Sequence, residues 1–168
     1  MRKFSIIIAL AVLSLLPAKS VAGEKDQFIN LQGGFLFNST LHASIGYERE
    51  LKYANAFELM AEVGDRWEVD PVCGKVCSES FFNNYYWNGA AAYKKCIKRF
   101  KNSTLRAVVG THVGAFRRSV FFGLSAGLEY NIVLPSGIQV SLQQKNCVNF
   151  RRGDDFRNGL LIGIKIPI

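Results

Sequence analysis

Three polar side chains near the start of the chain have the chemistry of a hydrolytic triad. His42 and Ser44 lie two positions apart, and Glu48 follows four positions later. A serine nucleophile, a histidine base and an orienting carboxylate are the groups that acyl transfer requires. In an extended strand, however, these even-numbered positions share one face, where they suit a hydrogen-bonded interior equally well. We expect that second role and no catalytic residue, and the enzyme alternative is an outer-membrane lipid hydrolase.

Four cysteines, Cys73, Cys77, Cys96 and Cys147, form the second set of reactive side chains. The N-terminal residues described below predict export, and an oxidising compartment outside the cytoplasm favours disulfides. The pair Cys73 and Cys77 predicts a small ring within one loop, with Cys96 and Cys147 left free; the rival pairing joins Cys147 to that loop. Two thiols with no nearby histidine or third thiol do not make a zinc site, so we expect no metal and no cofactor.

Charged residues recur on the polar faces of alternating segments, five acidic and five basic. Small residues and balanced opposite charges suit a crowded interior in which buried ions must find partners. We therefore predict a charge network that fills the interior of a barrel, rather than an ion pathway. Its predicted members are Glu48, Glu50, Glu58, Glu62, Glu129, Lys94, Arg106, Lys145, Arg157 and Lys165.

The N-terminal residues have the pattern of an export signal. Three residues, of which two are basic, precede the apolar run 4–16, and small residues at positions 20 and 22 fit a cleavage site. The run is shorter than the ~20 residues that a membrane-spanning helix needs. We predict a signal peptide at 1–22 and a single domain at 23–168.

The charge of the exported chain gives little support for nucleic-acid binding. The full chain has a net charge of +8, and removal of Arg2, Lys3 and Lys19 leaves 18 basic and 13 acidic residues, a net charge of +5. This excess is mild for a nucleic-acid binder. We expect no direct nucleic-acid contact.

Eight segments with alternating apolar and polar residues follow, each bounded by turn residues. The first runs from about Phe28 to Phe37, and the last carries Ile162, Ile164 and Ile166 on one side. The polar sides are rich in Gly, Ser, Asn and Gln, whereas the other sides are almost uncharged and aromatic toward the segment ends. Strands in hydrocarbon cannot leave an unpaired edge. This pattern predicts an all-β fold, an eight-stranded antiparallel up-and-down transmembrane β-barrel in a bacterial outer membrane; a soluble β-sandwich is the alternative.

Loop lengths agree with this topology. If the N-terminus is periplasmic, the connections after the second, fourth and sixth segments are short periplasmic turns, and the long stretch 65–83 lies on the outer surface. Aromatic residues in and after that stretch, Phe81, Phe82 and Tyr86 among them, fit an aromatic girdle or an outer-loop contact for another protein.

The C-terminal half also resembles a known family. The tracts Phe122–Tyr130, Val140–Asn146 and Phe156–Pro167 look like the conjugal transfer protein TraO family of Bacteroides-type conjugative transposons. The stretches Pro71–Cys77 and Tyr93–Arg106 are compatible with it. From residue 71 to residue 167 these tracts span about two-thirds of the exported chain, and their motifs are of modest specificity.

The resemblance implies an envelope component of a DNA-transfer apparatus that acts through protein contacts. It supplies no catalytic residues to carry over. The expected partners are outer-membrane lipid and other proteins of the conjugation apparatus. The alternative is a small outer-membrane barrel with a general envelope or adhesion role.

Overall fold

A computed structural model describes most of the chain after residue 25. The described residues are 26–37, 39–68, 70, 72, 76–77, 84–116, 119–150 and 156–168. The predicted signal peptide, residues 1–22, lies outside them, so that boundary stays a prediction.

Eight antiparallel strands form one closed barrel in chain order. The strands are β1 (Gln27–Leu36), β2 (Thr40–Glu50), β3 (Ala56–Arg66), β4 (Tyr85–Arg99), β5 (Ser103–Phe116), β6 (Ser119–Val133), β7 (Gln139–Phe150) and β8 (Phe156–Pro167). Pairing of β1 with both β2 and β8 closes the sheet, so none of these eight described strands is an edge. The predicted eight-stranded antiparallel up-and-down barrel is confirmed.

A short 3₁₀-helix, Lys52–Ala54, lies in the connection between β2 and β3. Within the described ranges, no helix has both the length and the apolar character needed to cross a membrane.

The two ends of the barrel differ in their connections. The first described residues and the C-terminus meet at one end, where the Ile168 amide donates a hydrogen bond to the Gln27 carbonyl (3.0 Å). We call this the terminal end; the connections 51–55, 100–102 and 134–138 also lie there. At the opposite end, which we call the loop end, β3 ends at Arg66 and β4 begins at Tyr85, and the long segment 67–84 of the sequence joins them.

Side chains alternate between the interior and the exterior along the strands, as the pleat of a strand requires, except near the end of β4. The interior contains most of the buried polar and charged residues, whereas large apolar residues on the outside are exposed. A few apolar side chains also point inward, where they fill space between the polar groups. The large ones are Phe28, Leu36, Val108, Phe121 and Leu161.

The hairpin between β4 and β5 departs from the predicted pattern. The residues Lys98–Ser103 fit a polar turn in the sequence, but β4 continues to Arg99 and the turn is confined to 100–102. The register between the two strands shifts between Cys96 and Lys98, which marks a β-bulge. The bulge changes which side chains face outward at this end.

Candidate functional site

A cluster of three cations and three carboxylates occupies the interior toward the terminal end. We call it the lysine cluster, and six different strands contribute to it. Its members, all nearly inaccessible to solvent, are Glu48, Glu58, Lys94, Arg106, Glu129 and Lys165. Inward side chains from opposite walls of an eight-stranded barrel reach its axis, which explains why such distant positions meet.

The Lys94 ammonium lies at the centre of this cluster. It donates to Glu48 Oε2 at 2.6 Å and to Glu129 Oε2 at 2.5 Å. Its distance to Glu58 Oε2 is 2.7 Å. Two of the three carboxylates, those of Glu48 and Glu129, accept hydrogen bonds from the ammonium, and the third, that of Glu58, forms an ion pair with it.

Lys165 and Arg106 complete the neutralisation of two of these carboxylates. Lys165 donates to Glu48 Oε2 at 2.6 Å and to Glu129 Oε1 at 2.8 Å. Arg106 Nη1 donates to Glu48 Oε1 at 2.8 Å. Arg106 Nη2 reaches the rim, where it is 3.2 Å from Glu50 Oε2, a carboxylate that is 25% exposed. Each buried charge is therefore compensated by short contacts, which offsets the cost of removing it from water.

The three carboxylates of the cluster also have the spacing of a metal site. One oxygen from each of Glu48, Glu58 and Glu129 lies within 4.8 Å of the others. Lys94 Nζ already lies between them at hydrogen-bonding distance from all three. The lysine thus supplies the positive charge at the position that a cation would take, and the geometry favours an ion-paired filling.

A second buried network lies toward the loop end, and we call it the histidine chamber. Its charged and aromatic members are His42, Glu62, Tyr86, Lys145 and Arg157. Glu62 is at its centre, paired with the Lys145 ammonium. Asn88 Nδ2 donates to Glu62 Oε2 at 2.9 Å. His42 Nε2 is 3.9 Å from the same oxygen, too long for a hydrogen bond. Glu62 is therefore the carboxylate around which the buried polar groups near the loop end are arranged.

Tyr86 belongs to this chamber, which corrects its predicted place in an outer-loop contact. Its hydroxyl is hydrogen-bonded with His42 Nδ1 (3.0 Å), and the Arg157 guanidinium lies 4.6 Å from the centre of its ring. The phenol packs over Gly64, where a Cβ would collide with the ring. Alternation is the physical reason: Tyr86 is an even position of β4 between the outward Tyr85 and Trp87. Phe81 and Phe82, the other two residues of that prediction, lie outside the described residues.

Two of the three side chains that resemble a hydrolytic triad, His42 and Glu48, are engaged with other partners. Glu48 binds Lys94, Lys165 and Arg106, and His42 Nδ1 is engaged with Tyr86. These contacts place Glu48 in the lysine cluster and His42 in the histidine chamber, two separate networks. Ser44 also points inward, away from the apolar exterior.

All ten predicted network residues point into the barrel, divided between the two networks and the rim. Arg157 and Lys145 join the chamber, while Glu50 lies at the rim. Neutral polar groups that the sequence did not single out add further hydrogen bonds to the two networks. Asn30 Nδ2 donates to Glu58 Oε1 (2.5 Å), Asn131 Nδ2 donates to Glu129 Oε1 (2.7 Å), and His112 Nε2 pairs with Asn149 Oδ1 (2.6 Å). Their only sequence signal was a position on the polar face of an alternating segment.

The chamber leaves a cavity of about 10 Å³, bordered by Leu36, His42, Phe121, Cys147 and neighbouring residues. A volume of this size holds about one water molecule. Side chains therefore fill this part of the interior, as expected for eight strands.

Cys96 and Cys147 are free cysteines, and Cys147 is buried beside the chamber. The predicted disulfide involves Cys73, which lies outside the described residues. The pairing of Cys73 with Cys77 stays a prediction.

Comparison with known proteins gives one likeness of fold. No family model and no curated protein matches the chain. A solved structure described as "De novo design of transmembrane beta-barrels" is similar, with a TM-score of 0.49 and 8% sequence identity over 86% of this chain and 98% of that chain. At this identity no residue role transfers between the two chains.

Proposed function

We propose that the chain is a non-enzymatic transmembrane β-barrel of a bacterial outer membrane, serving as a structural or docking element. The observation that carries the proposal is the inverted distribution of polarity. Lys94, Lys165, Glu48 and Glu129 are buried inside the barrel, while large aliphatic side chains cover its outside. A soluble protein places these groups the other way round, because water solvates ions and excludes apolar surface.

The exposed apolar surface also has the layout of a lipid-facing band. Aliphatic residues occupy its middle, and aromatic side chains lie toward both ends, as in outer-membrane barrels. The exposed aromatic residues within the strands are Phe57, Tyr93 and Tyr130 toward the terminal end, and Phe35, Tyr85, Trp87, Phe122, Phe150 and Phe156 toward the loop end. Eight residues separate Tyr85 from Tyr93 on β4, about 27 Å along a strand. With a strand tilt of about 40°, this gives roughly 20 Å along the barrel axis, close to the ~25 Å expected of such a band.

The filled interior supports a structural role over transport. Two ion-paired networks occupy the inside, and the cavity in the histidine chamber holds about one water molecule. Moving a hydrated solute past Lys94 would require breaking several buried ion pairs at once, which is costly.

The proposal predicts the behaviour of the chain in its native envelope and in vesicles. We expect the protein to fractionate with the outer membrane and to resist extraction by high salt. On an SDS gel the unboiled, folded protein should migrate differently from the boiled, unfolded protein. Vesicles that contain the protein should hold an ion gradient. A chain that is soluble and monomeric without detergent would contradict the proposal.

A narrower proposal concerns the apparatus that the barrel serves. The resemblance to the TraO family, and that resemblance alone, supports a docking role in conjugative transfer. Deleting the gene is then expected to lower the transfer frequency of the element that carries it, and the wild-type gene supplied in trans should restore transfer. An unchanged frequency would remove the support for this role and leave the barrel proposal intact.

A further inference from the structure

The β4–β5 hairpin presents a basic patch on the outer surface at the terminal end. We define the outer basic patch as Lys95, Ile97 and Lys98, all of which are exposed. No acidic residue occurs anywhere between Tyr85 and Phe116. The hairpin therefore has no carboxylate of its own that could neutralise Lys95 and Lys98.

The β-bulge creates this patch. Before it, inward Lys94 and outward Lys95 alternate regularly, and continued alternation would turn Lys98 inward. The register shift instead pairs Lys98 with Leu105. Because Leu105 also pairs with the outward Tyr130, Lys98 shares the outer face with Lys95, and Ile97 is left unpaired and 57% exposed. One extra residue therefore moves a second lysine to the outside.

The patch borders the aromatic residues of the terminal end. Lys95 lies two residues beyond Tyr93, about 7 Å along the strand. Lys98 is on the row of Leu105 and Tyr130. Aromatic side chains of this kind lie at the level of lipid headgroups, and lysine stems extend along apolar surface toward such groups. The exposed Ile97, which lies between the two lysines in sequence, suits the apolar side of the same boundary.

We infer that the outer basic patch binds the phosphate groups of anionic phospholipids in the leaflet at the terminal end. This inference rests on the proposed membrane location. The apolar Ile97 and the adjoining aromatic residues favour a lipid surface over nucleic acid, whose backbone would meet charge alone. Two ammonium groups on one face can bridge the phosphates of one or two headgroups, whereas zwitterionic lipid offers each phosphate its own cation.

The same hairpin offers a matched control. The bulge pairs Arg99 with the inward-facing Thr104. Arg99 and Lys101 both border the mouth of the barrel, a concavity of about 300 Å³ that also contains Asp26 and Glu50. These two basic residues are close to the patch in sequence but face a different surface, beside carboxylates.

The test compares phosphatidylglycerol with phosphatidylcholine as probes bound to the full chain, counted by native mass spectrometry after folding in micelles. We expect wild type to retain phosphatidylglycerol preferentially, and Lys95→Gln/Lys98→Gln to reduce that preference by about fivefold for each lysine removed. Lys95→Arg/Lys98→Arg should keep it, and high salt should weaken it. Arg99→Gln/Lys101→Gln should have a smaller effect than the patch pair.

The possible results separate the inference from the proposed function. Equal retention of both lipids by wild type, or equal effects of the two glutamine pairs, would overturn the inference that the patch binds anionic lipid. Either result would leave the barrel proposal intact. Binding of a short DNA strand that depends on Lys95 and Lys98, without lipid preference, would overturn it in favour of nucleic acid. Heat-modifiable folding in phosphatidylcholine vesicles is the separate readout for the barrel, and its failure would overturn both.

Discussion

Replacing Lys94 with methionine is expected to destabilise the folded barrel by about 3–5 kcal/mol, the range seen when one partner of a buried ion pair is removed. Methionine is unbranched and comparable in length, so the loss comes from charge rather than from a cavity. Glu48 keeps Lys165 and Arg106, and Glu129 keeps Lys165. Glu58 has Lys94 as its cation and retains the Asn30 amide. The uncompensated charge therefore falls mainly on Glu58.

The urea midpoint of folding in micelles, followed by gel mobility or circular dichroism, measures the effect of Lys94→Met. Lys52→Met is the matched control, because Lys52 is exposed at the same end and its removal should change stability by less than about 0.5 kcal/mol. The double variant Lys94→Met/Glu58→Gln should recover a large part of the loss, because it removes the orphaned charge. A cost for Lys94→Met as small as that of the control would show that the lysine cluster does not stabilise the barrel.

Introducing arginine at Ile162 is expected to cost about 2–4 kcal/mol of folding into a bilayer, the cost of a cation at the membrane midplane. Ile162 is 64% exposed in the middle of β8, between the outward positions Leu142 and Gly33. An exposed site in water would tolerate this change. The penalty arises only if hydrocarbon is the surrounding solvent.

Val72→Arg is the control for Ile162→Arg, since Val72 is 93% exposed in the connection at the loop end and should accept a charge at little cost. Urea-dependent folding into phospholipid vesicles gives both free energies. Similar stabilities for the two variants, or improved solubility of Ile162→Arg without detergent, would contradict the membrane location. The comparison thus separates lipid-facing exposure from water-facing exposure.

The alternation of residue types determined which side of the barrel most residues occupy. Strand pleating sends successive side chains to opposite faces, so the inward placement of Glu48, Lys94 and Lys165 followed from position alone. Turn residues and the number of segments then gave the strand count and the antiparallel order. The same rule would have placed Tyr86 inside; its assignment to the outer loop came from its neighbours in sequence rather than from its parity.

Tertiary structure alone decided which charges pair. Lys165 and Glu48 are 117 residues apart, and Lys94 and Glu129 are 35 apart, yet they meet at the axis because closure brings opposite walls together. No local spacing encodes these contacts, because they depend on strand register and barrel radius. The bulge that turns Lys98 outward was hidden for the same reason, since an extra unpaired residue is defined only by the partner strand. The pattern of residues thus set the two faces of each strand, and the closed sheet set the partners across its interior.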